Sequence, residues 1–261
     1  MVAVPSQAGV RVAAVGDLHV TRDSVGKLQP LFSHVASRAD VLVLCGDLTD
    51  FGQPDEAQIL AKELTSVGKV PVLAVLGNHD FESGRSDEVR RILQDAGVTL
   101  LDGEGVEVQG VGFAGAKGFM GGFGRRSLEP WGEPPVKDLV HAAVDEALKL
   151  ESALARLRTP EKVAVLHYAP IAATVEGEPR EIYCFLGSSR LEEPLNRFRV
   201  TAVFHGHAHH GQLEGRTTAG APVYNVALPL LRSRFPEQPA VRIVELPAAP
   251  TERGREARLP A

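Results

Sequence analysis

Cysteine is scarce in this sequence: Cys45 and Cys184 are the two that occur in 261 residues. Two cysteines cannot build a disulfide framework, and such low usage is typical of a reducing compartment, so we expect a cytoplasmic protein. Apolar runs long enough to span a bilayer are also missing, and the first residues lack the charged and apolar segments of a secretory signal. Disulfide-stapled and membrane-spanning classes are therefore excluded, and we expect no membrane partner.

A basic excess is missing too. Lys and Arg number 28 against 33 Asp and Glu, which gives a net charge of −5 without a block of basic residues. A basic surface that binds nucleic acid through the release of its counterions is disfavoured, so we do not expect nucleic acid as a partner. No shift in composition divides the chain. We predict one domain over 1–247, followed by a flexible tail at 248–261.

Short apolar runs that end in polar residues recur along the chain, at 12–19, 41–47, 72–80, 163–167 and 201–209. Runs of Val, Leu and Ala are typical of strands buried on both faces, and helical stretches separate them. A helix near 137–158 is predicted to present one apolar stripe, made of Val140, Val144, Leu148, Leu154 and Leu157. Segments 106–114 and 223–244 are predicted to be extended segments with turns, so that part of the sheet is antiparallel. The alternation predicts an α/β fold with a largely parallel core.

The polar residues that end these runs are the candidates for chemistry. In open α/β sheets ligands bind beyond the carboxyl ends of the strands, so we expect these side chains to converge. Imidazoles and carboxylates with one amide oxygen, and without thiolate, suit divalent ions such as Mn, Fe or Zn rather than a structural zinc cage. The candidates exceed the capacity of one ion and divide between two if one carboxylate bridges. They are Asp17, His19, Asp47, Asn78, His167, His207 and His209.

Five ordered motifs in this region resemble those of the calcineurin-like metallophosphoesterases. The family motifs are D-x-H, G-D, G-N-H-D/E, H and G-H-x-H. They stand here as GDLH at 16–19, GD at 46–47, GNHD at 77–80, His167 and GHAH at 206–209. A single motif of this kind is common by chance, whereas the ordered set is specific. The resemblance covers residues 11–209.

The resemblance implies a four-layer α/β/β/α sandwich, in which two mixed sheets are flanked by helices. It also implies a centre for two divalent ions that share Asp47. One ion would be held by Asp17, His19, Asp47 and His209, and the other by Asp47, Asn78, His167 and His207. His79 would face the substrate and donate to the phosphate or the leaving oxygen. Asp80 would lie behind His79 and orient its ring.

The implied activity is hydrolysis of a phosphodiester or phosphomonoester by attack of a hydroxide that bridges the two ions. Two divalent ions carry more charge than Asp17 and Asp47 return, so the centre favours an anionic substrate, and the ions lower the pKa of bound water towards ~7. The short framework is most similar to bacterial phosphodiesterases of the cyclic-nucleotide type. Two alternatives are a DNA or RNA nuclease of the same family and a non-catalytic scaffold on the same fold. The native substrate, the metal pair and the oligomeric state are not encoded in these motifs.

The glycine-rich segment 115–135 is long for a loop without regular structure, and such loops are usually functional or disordered. We expect it to border the centre, with Arg125 and Arg126 meeting phosphate oxygens; the alternative is that both arginines are solvated. His205 and His210 flank the last motif. They either support the ligands from outside or serve the strand and loop around them. For Asn225 a structural hydrogen bond is the simpler interpretation.

Overall fold

The computed structural model describes residues 9–247, and the predicted tail at 248–261 lies outside them. Two sheets form in the described part of the chain. Their strands are, in chain order, β1 (Val10–Val15), β2 (Val41–Cys45), β3 (Val72–Val75), β4 (Thr99–Leu100), β5 (Gly105–Val108), β6 (Val111–Gly115), β7 (Lys162–Val165), β8 (Ala202–His205), β9 (Glu214–Arg216), β10 (Pro222–Asn225) and β11 (Arg242–Leu246).

Both sheets are mixed. The first has the strand order β11-β1-β2-β3-β4, in which β1 to β4 are parallel and β11 is antiparallel to β1. The second has the order β5-β6-β7-β8-β10-β9, with a parallel centre and an antiparallel strand at each edge. Parallel strands place their carboxyl ends at one edge of a sheet, which is where the predicted ligands follow the strands.

Seven α-helices lie within residues 9–247, and no helix there combines the length and the apolar character that crossing a membrane requires. Proline at the start of a helix loses no hydrogen bond, and α2 and α4 both begin with it. The helices are α1 (Gln29–Arg38), α2 (Pro54–Leu64), α3 (Ser86–Asp95), α4 (Pro134–Arg156), α5 (Tyr183–Leu186), α6 (Glu192–Arg197) and α7 (Leu228–Arg234).

The two sheets pack face to face, and alternate residues of one strand serve different layers. Val163 and Val165 of β7 belong to the core that includes the first sheet. Ala164, between them, belongs to a second core with Leu150 and Leu154 of α4. This period of two is the geometry of a strand buried on both faces. The predicted α/β sandwich of two mixed sheets flanked by helices is confirmed.

Two local predictions were wrong. Leu148 of α4 is 52% exposed, whereas Val140, Ala143, Leu150 and Leu154 are buried. The face that contacts the sheet follows small side chains such as Ala143, which let the helix approach closely, and Leu148 falls outside it. Segment 223–244 is not extended throughout, since it contains α7 between β10 and β11.

Hydrogen bonds join the carboxyl ends of the two sheets. After β1, the amide of Gly16 donates to Val226 O at 2.9 Å, just beyond β10. The His167 ring, which follows β7, donates from Nδ1 to Cys45 O at the end of β2, also at 2.9 Å. The residues that follow strands of different sheets therefore meet at one place.

Candidate metal centre and the cleft beside it

The predicted ligands occupy sharp turns directly after strands. Six non-glycine residues in the described part of the chain have positive φ, and four belong to the predicted set: Asp17 (55°), His19 (43°), Asp47 (47°) and His207 (70°). L-residues rarely adopt this left-handed backbone, and such strain concentrates at functional sites. The turns point the side chains that leave different strands towards a common centre.

The first ligand group consists of Asp17, His19 and His209, whose ligand atoms lie within 4.8 Å of one another. His209 Nε2 lies 3.0 Å from Asp17 Oδ1. The amide of His207 donates to both Asp17 oxygens at 3.0 Å, which fixes the carboxylate. His19 donates from Nδ1 to Asp50 Oδ1 at 3.0 Å, so its Nε2 is the nitrogen that faces the centre.

The second ligand group consists of Asp47, Asn78, His167 and His207. Because Nδ1 of His167 donates to a carbonyl, its Nε2 carries the lone pair, and this atom lies 2.9 Å from Asn78 Oδ1 and 3.4 Å from Asp47 Oδ1. His207 donates from Nε2 to Phe185 O at 3.2 Å, which leaves Nδ1 for a ligand. An imidazole held through one nitrogen presents the other in a fixed direction, as metal ligands do.

Asp47 lies between the two groups. Its Oδ2 is 3.8 Å from His19 Nε2, and its Oδ1 is 3.4 Å from His167 Nε2. His19 Nε2 is buried and has no hydrogen-bond partner among residues 9–247. A buried imidazole nitrogen and a carboxylate oxygen that face each other without a shared proton can together bind a divalent cation. The donor set therefore fits two ions, with Asp47 positioned to reach both.

Two glycines allow this close approach. A Cβ atom at Gly77 would lie 2.1 Å from Asp47 Oδ1, and one at Gly206 would lie 2.2 Å from Asp17 Oδ2. Either side chain would displace a carboxylate oxygen of a predicted ligand. These glycines leave room for the ligands of the centre, besides shaping the turns.

Burial and neighbouring charges set the protonation of the ligands. Burial, reinforced by the nearby His167, lowers the pKa of His207 to about 3, so this ring is neutral and able to bind a cation. Burial pushes the pKa of Asp17 upwards, but the hydrogen bond from His209 and the surrounding histidines together lower it, which keeps the carboxylate ionised.

His79 lies beside the first ligand group rather than within it. Its ring is edge-on to the ring of His19, with centroids 4.6 Å apart. Its Nδ1 donates to Asp50 O at 2.7 Å, and its amide donates to Asp47 Oδ1 at 2.9 Å. The side chain is 36% exposed, so Nε2 is open to a ligand. Burial lowers the pKa of His79, but the Asp50 carbonyl and the carboxylates of Asp47 and Asp50 raise it more, and the net shift is upwards.

The expectation that Asp80 orients His79 was wrong. The Asp80 carboxylate is fully buried and turned away, where it accepts from the amides of Leu48, Thr49 and Gly77 and from Thr49 Oγ1 at 2.6–3.2 Å. It ties the turn after β2 to the turn after β3. The ring of His79 is held by Asp50, which sequence reasoning missed although it lies three residues after Asp47.

The flanking polar residues have structural partners. His205 is buried and hydrogen-bonds through Nε2 to Thr174 Oγ1 at 2.9 Å. Asn225 donates from Nδ2 to Ala208 O at 2.7 Å and so braces the turn between His207 and His209. The amide of His210 donates to Glu178 Oε1 at 2.7 Å. The hydrogen bond expected of Asn225 is present, and it supports the ligand turn.

Segment 115–135 contacts the centre through the main chain of Lys117 and also forms one wall of a cleft. The Lys117 carbonyl accepts from the amides of His167 and Tyr168. Further along, Phe123 and Arg126 line a cleft of 620 Å³, whereas Arg125 is not among the residues that line it. Trp131, in the same segment, is 69% exposed.

The comparisons with known proteins agree with this geometry. The family model for calcineurin-like phosphoesterases matches residues 10–211 of the chain. No curated protein matches the chain by sequence.

Three solved structures share the fold at low identity. A phosphopantetheinyl hydrolase from Mycobacterium tuberculosis is 15% identical with a TM-score of 0.64, over 91% of this chain and 96% of that one. A protein of Thermus thermophilus is 14% identical with a TM-score of 0.54, over 91% and 99%. A purple acid phosphatase from yellow lupin seeds is 14% identical with a TM-score of 0.52, over 87% of this chain and 45% of that one. At these identities the likeness concerns the fold.

Proposed function

The chain belongs to the calcineurin-like phosphoesterase family, and on this premise we propose that it hydrolyses a phosphodiester or phosphomonoester of a small or cyclic nucleotide, or a similar ester. It is a metal-dependent phosphoesterase, and the family binds two metal ions. We further propose Mn, Fe or Zn as the ions, a cytoplasmic location, and a soluble phosphate ester rather than nucleic acid as the substrate.

The observation that carries the proposal is the position of the Asp47 carboxylate. One oxygen lies 3.8 Å from His19 Nε2 and the other 3.4 Å from His167 Nε2, so one side chain serves both ligand groups. Bound at these residues, two divalent ions would supply positive charge to the phosphoryl oxygens and lower the pKa of water towards neutrality. The amide of His79 donates to Asp47 and keeps the carboxylate in this orientation.

The hydrogen bond and the charges around His79 support a role as proton donor. Asp50 O accepts from Nδ1, so in the protonated ring Nε2 carries the proton that is free for a substrate. Burial lowers the pKa of the ring, but the Asp50 carbonyl and the neighbouring carboxylates raise it more, which favours the protonated form. We propose that His79 donates this proton to the leaving oxygen, which a phosphoester with an alkoxide leaving group requires.

The proposal is tested by hydrolysis of bis-p-nitrophenyl phosphate and p-nitrophenyl phosphate with added Mn²⁺. We expect turnover of at least one ester, and its loss when Asp47 is replaced by Ala. His141→Ala, on the exposed side of α4, is the matched control and should keep full activity. No turnover of either ester by metal-loaded protein would overturn the proposal.

A second panel separates the substrate classes. The short framework around the five motifs resembles bacterial cyclic-nucleotide phosphodiesterases, and the M. tuberculosis relative in fold is named a phosphopantetheinyl hydrolase. Nucleotides, cyclic nucleotides and a phosphopantetheinyl ester are therefore compared by kcat/KM. We expect kcat/KM for a nucleotide ester to exceed that for p-nitrophenyl phosphate. Equal kcat/KM values for all substrates would contradict the assignment to nucleotides.

A further inference from the structure

A cleft of 620 Å³ opens between two segments that are distant in sequence. One wall is 122–126, after β6, and the other is 176–184, which leads into α5. The walls are joined by the amide of Gly121, which donates to Cys184 O, and by the amide of Gly122, which donates to Gly187 O, both at 2.8 Å. The volume is in the range of small-molecule sites.

The cleft is built onto the metal centre. Phe123 and Tyr183, which line it, pack against a small buried cluster that contains Ala208, and Ala208 lies between the predicted ligands His207 and His209. The second wall also holds the ligand turn directly, because Phe185 O accepts from His207 Nε2 and Glu178 accepts from the amide of His210. The cleft and the ligand turn therefore share one buried cluster.

Two arginines in the cleft are available to an anion. Arg126 and Arg180 line opposite walls and are exposed. Among residues 9–247 no carboxylate lies within 4.0 Å of either guanidinium, although Glu176 and Glu178 line the same cleft. Glu178 is buried and accepts from the His210 amide instead. Guanidinium groups without a counterion match phosphate oxygens in both charge and geometry.

The aromatic side chains add a second feature. Phe123 and Tyr183 are both half-buried, one on each wall, and line the cleft together with the two arginines. Rings of this kind pack on a planar group of a ligand. We propose that the cleft binds the organic part of the substrate, and that this part carries a second phosphate and a planar ring, as in a nucleotide with two phosphates. This inference rests on the proposed function, because it concerns the substrate of the same centre.

The inference is tested by isothermal titration calorimetry of the full chain in the presence of a chelator, so that the arginines rather than metal ions determine phosphate affinity. The probes are adenosine 3′,5′-bisphosphate, pyrophosphate and adenosine. Arg126→Gln and Arg180→Gln should each weaken both phosphate probes about tenfold, which corresponds to one charge-assisted contact. Tyr183→Ala should weaken the bisphosphate and leave pyrophosphate unchanged.

Arg125→Gln is the matched control, because it removes the same charge one residue outside the cleft. It should change affinity less than about twofold, the effect of a screened surface charge. Equal losses for the variants at 125 and 126 would overturn the inference, since they would show nonspecific attraction. Phosphate affinities that are unchanged in both Arg126→Gln and Arg180→Gln would also overturn the inference.

Hydrolysis of bis-p-nitrophenyl phosphate and p-nitrophenyl phosphate by the unmodified, Mn²⁺-loaded protein separates this inference from the proposed function. Arginine-dependent binding without any turnover supports the cleft and overturns the activity. Turnover without arginine-dependent binding overturns the cleft alone.

Discussion

His19 Nε2 lies 3.8 Å from Asp47 Oδ2, buried and without a hydrogen-bond partner among residues 9–247. Leaving a buried polar atom unsatisfied costs about 1–3 kcal/mol. The other ring nitrogen of His19 donates to Asp50, so the imidazole cannot turn to satisfy Nε2 without losing that bond. A divalent cation is a partner that would satisfy the imidazole nitrogen and the carboxylate together.

Asp47→Ala should be the most damaging change of a ligand, because it removes the one side chain that faces both ligand groups. We expect loss of both ions, measured by elemental analysis, and an activity loss greater than the roughly 10–100-fold that residues outside the ligand set cause. Asp145→Ala, on the exposed face of α4, controls for the loss of a carboxylate. Two ions retained per chain would contradict the shared position of Asp47.

Asp50→Ala should weaken metal binding about 10–100-fold, because the carboxylate that orients His19 is lost. The main-chain carbonyl that holds His79 remains, so kcat at saturating Mn²⁺ should change less than metal affinity does. Asp50→Asn keeps an acceptor oxygen and should recover most of the affinity. A metal titration followed by activity and by calorimetry measures both quantities. Equal affinity for the two variants would show that the carboxylate does not orient His19.

His79→Ala should leave both ions bound and lower kcat about 10²–10⁴-fold, the range of general acid catalysis. Because a proton donor must be protonated to act, wild-type kcat should fall as the pH rises through the pKa of His79, which is shifted upwards. The variant should lose this basic limb of the pH profile. The loss of rate should be smaller for p-nitrophenolate than for an alkoxide, since p-nitrophenolate leaves without a proton. Equal losses would assign His79 to charge stabilisation instead.

Asp80→Asn should lower stability, because the carboxylate accepts four hydrogen bonds and an amide offers one oxygen for them. Each buried donor left without an acceptor costs about 1–3 kcal/mol. Thermal denaturation should show a decrease in Tm of several degrees, while Asp145→Asn leaves Tm unchanged. An unchanged Tm with a large loss of kcat would instead indicate that Asp80 takes part in the reaction.

Much of the centre follows from local sequence. A run such as 41–45 is a buried strand because every side chain in it is apolar, and the polar residue that follows must therefore lie at the carboxyl edge. The same argument applied to five strands predicts that seven side chains converge, and the structure gathers them in two neighbouring groups around Asp17 and Asp47. The order and the residue types of these side chains also indicated the family, because strand ends, glycines and predicted ligands lie within a few residues of one another in the motifs.

Tertiary structure alone decided what surrounds those side chains. The Asp80 carboxylate points inwards, and Asp50 contacts His19 and His79. Both orientations depend on how the turns after β2 and β3 pack against each other, and the neighbouring sequence does not encode that packing. Arg126 lines the cleft and Arg125 does not, since a difference of one residue in a short 3-10 helix rotates the side chain by about a third of a turn. Arg180 and Tyr183 join Arg126 only through packing between segments more than 50 residues apart in the printed sequence. Strand periodicity carries no information about that distance, so the convergence of the predicted ligands could be expected from the sequence, whereas the cleft could not.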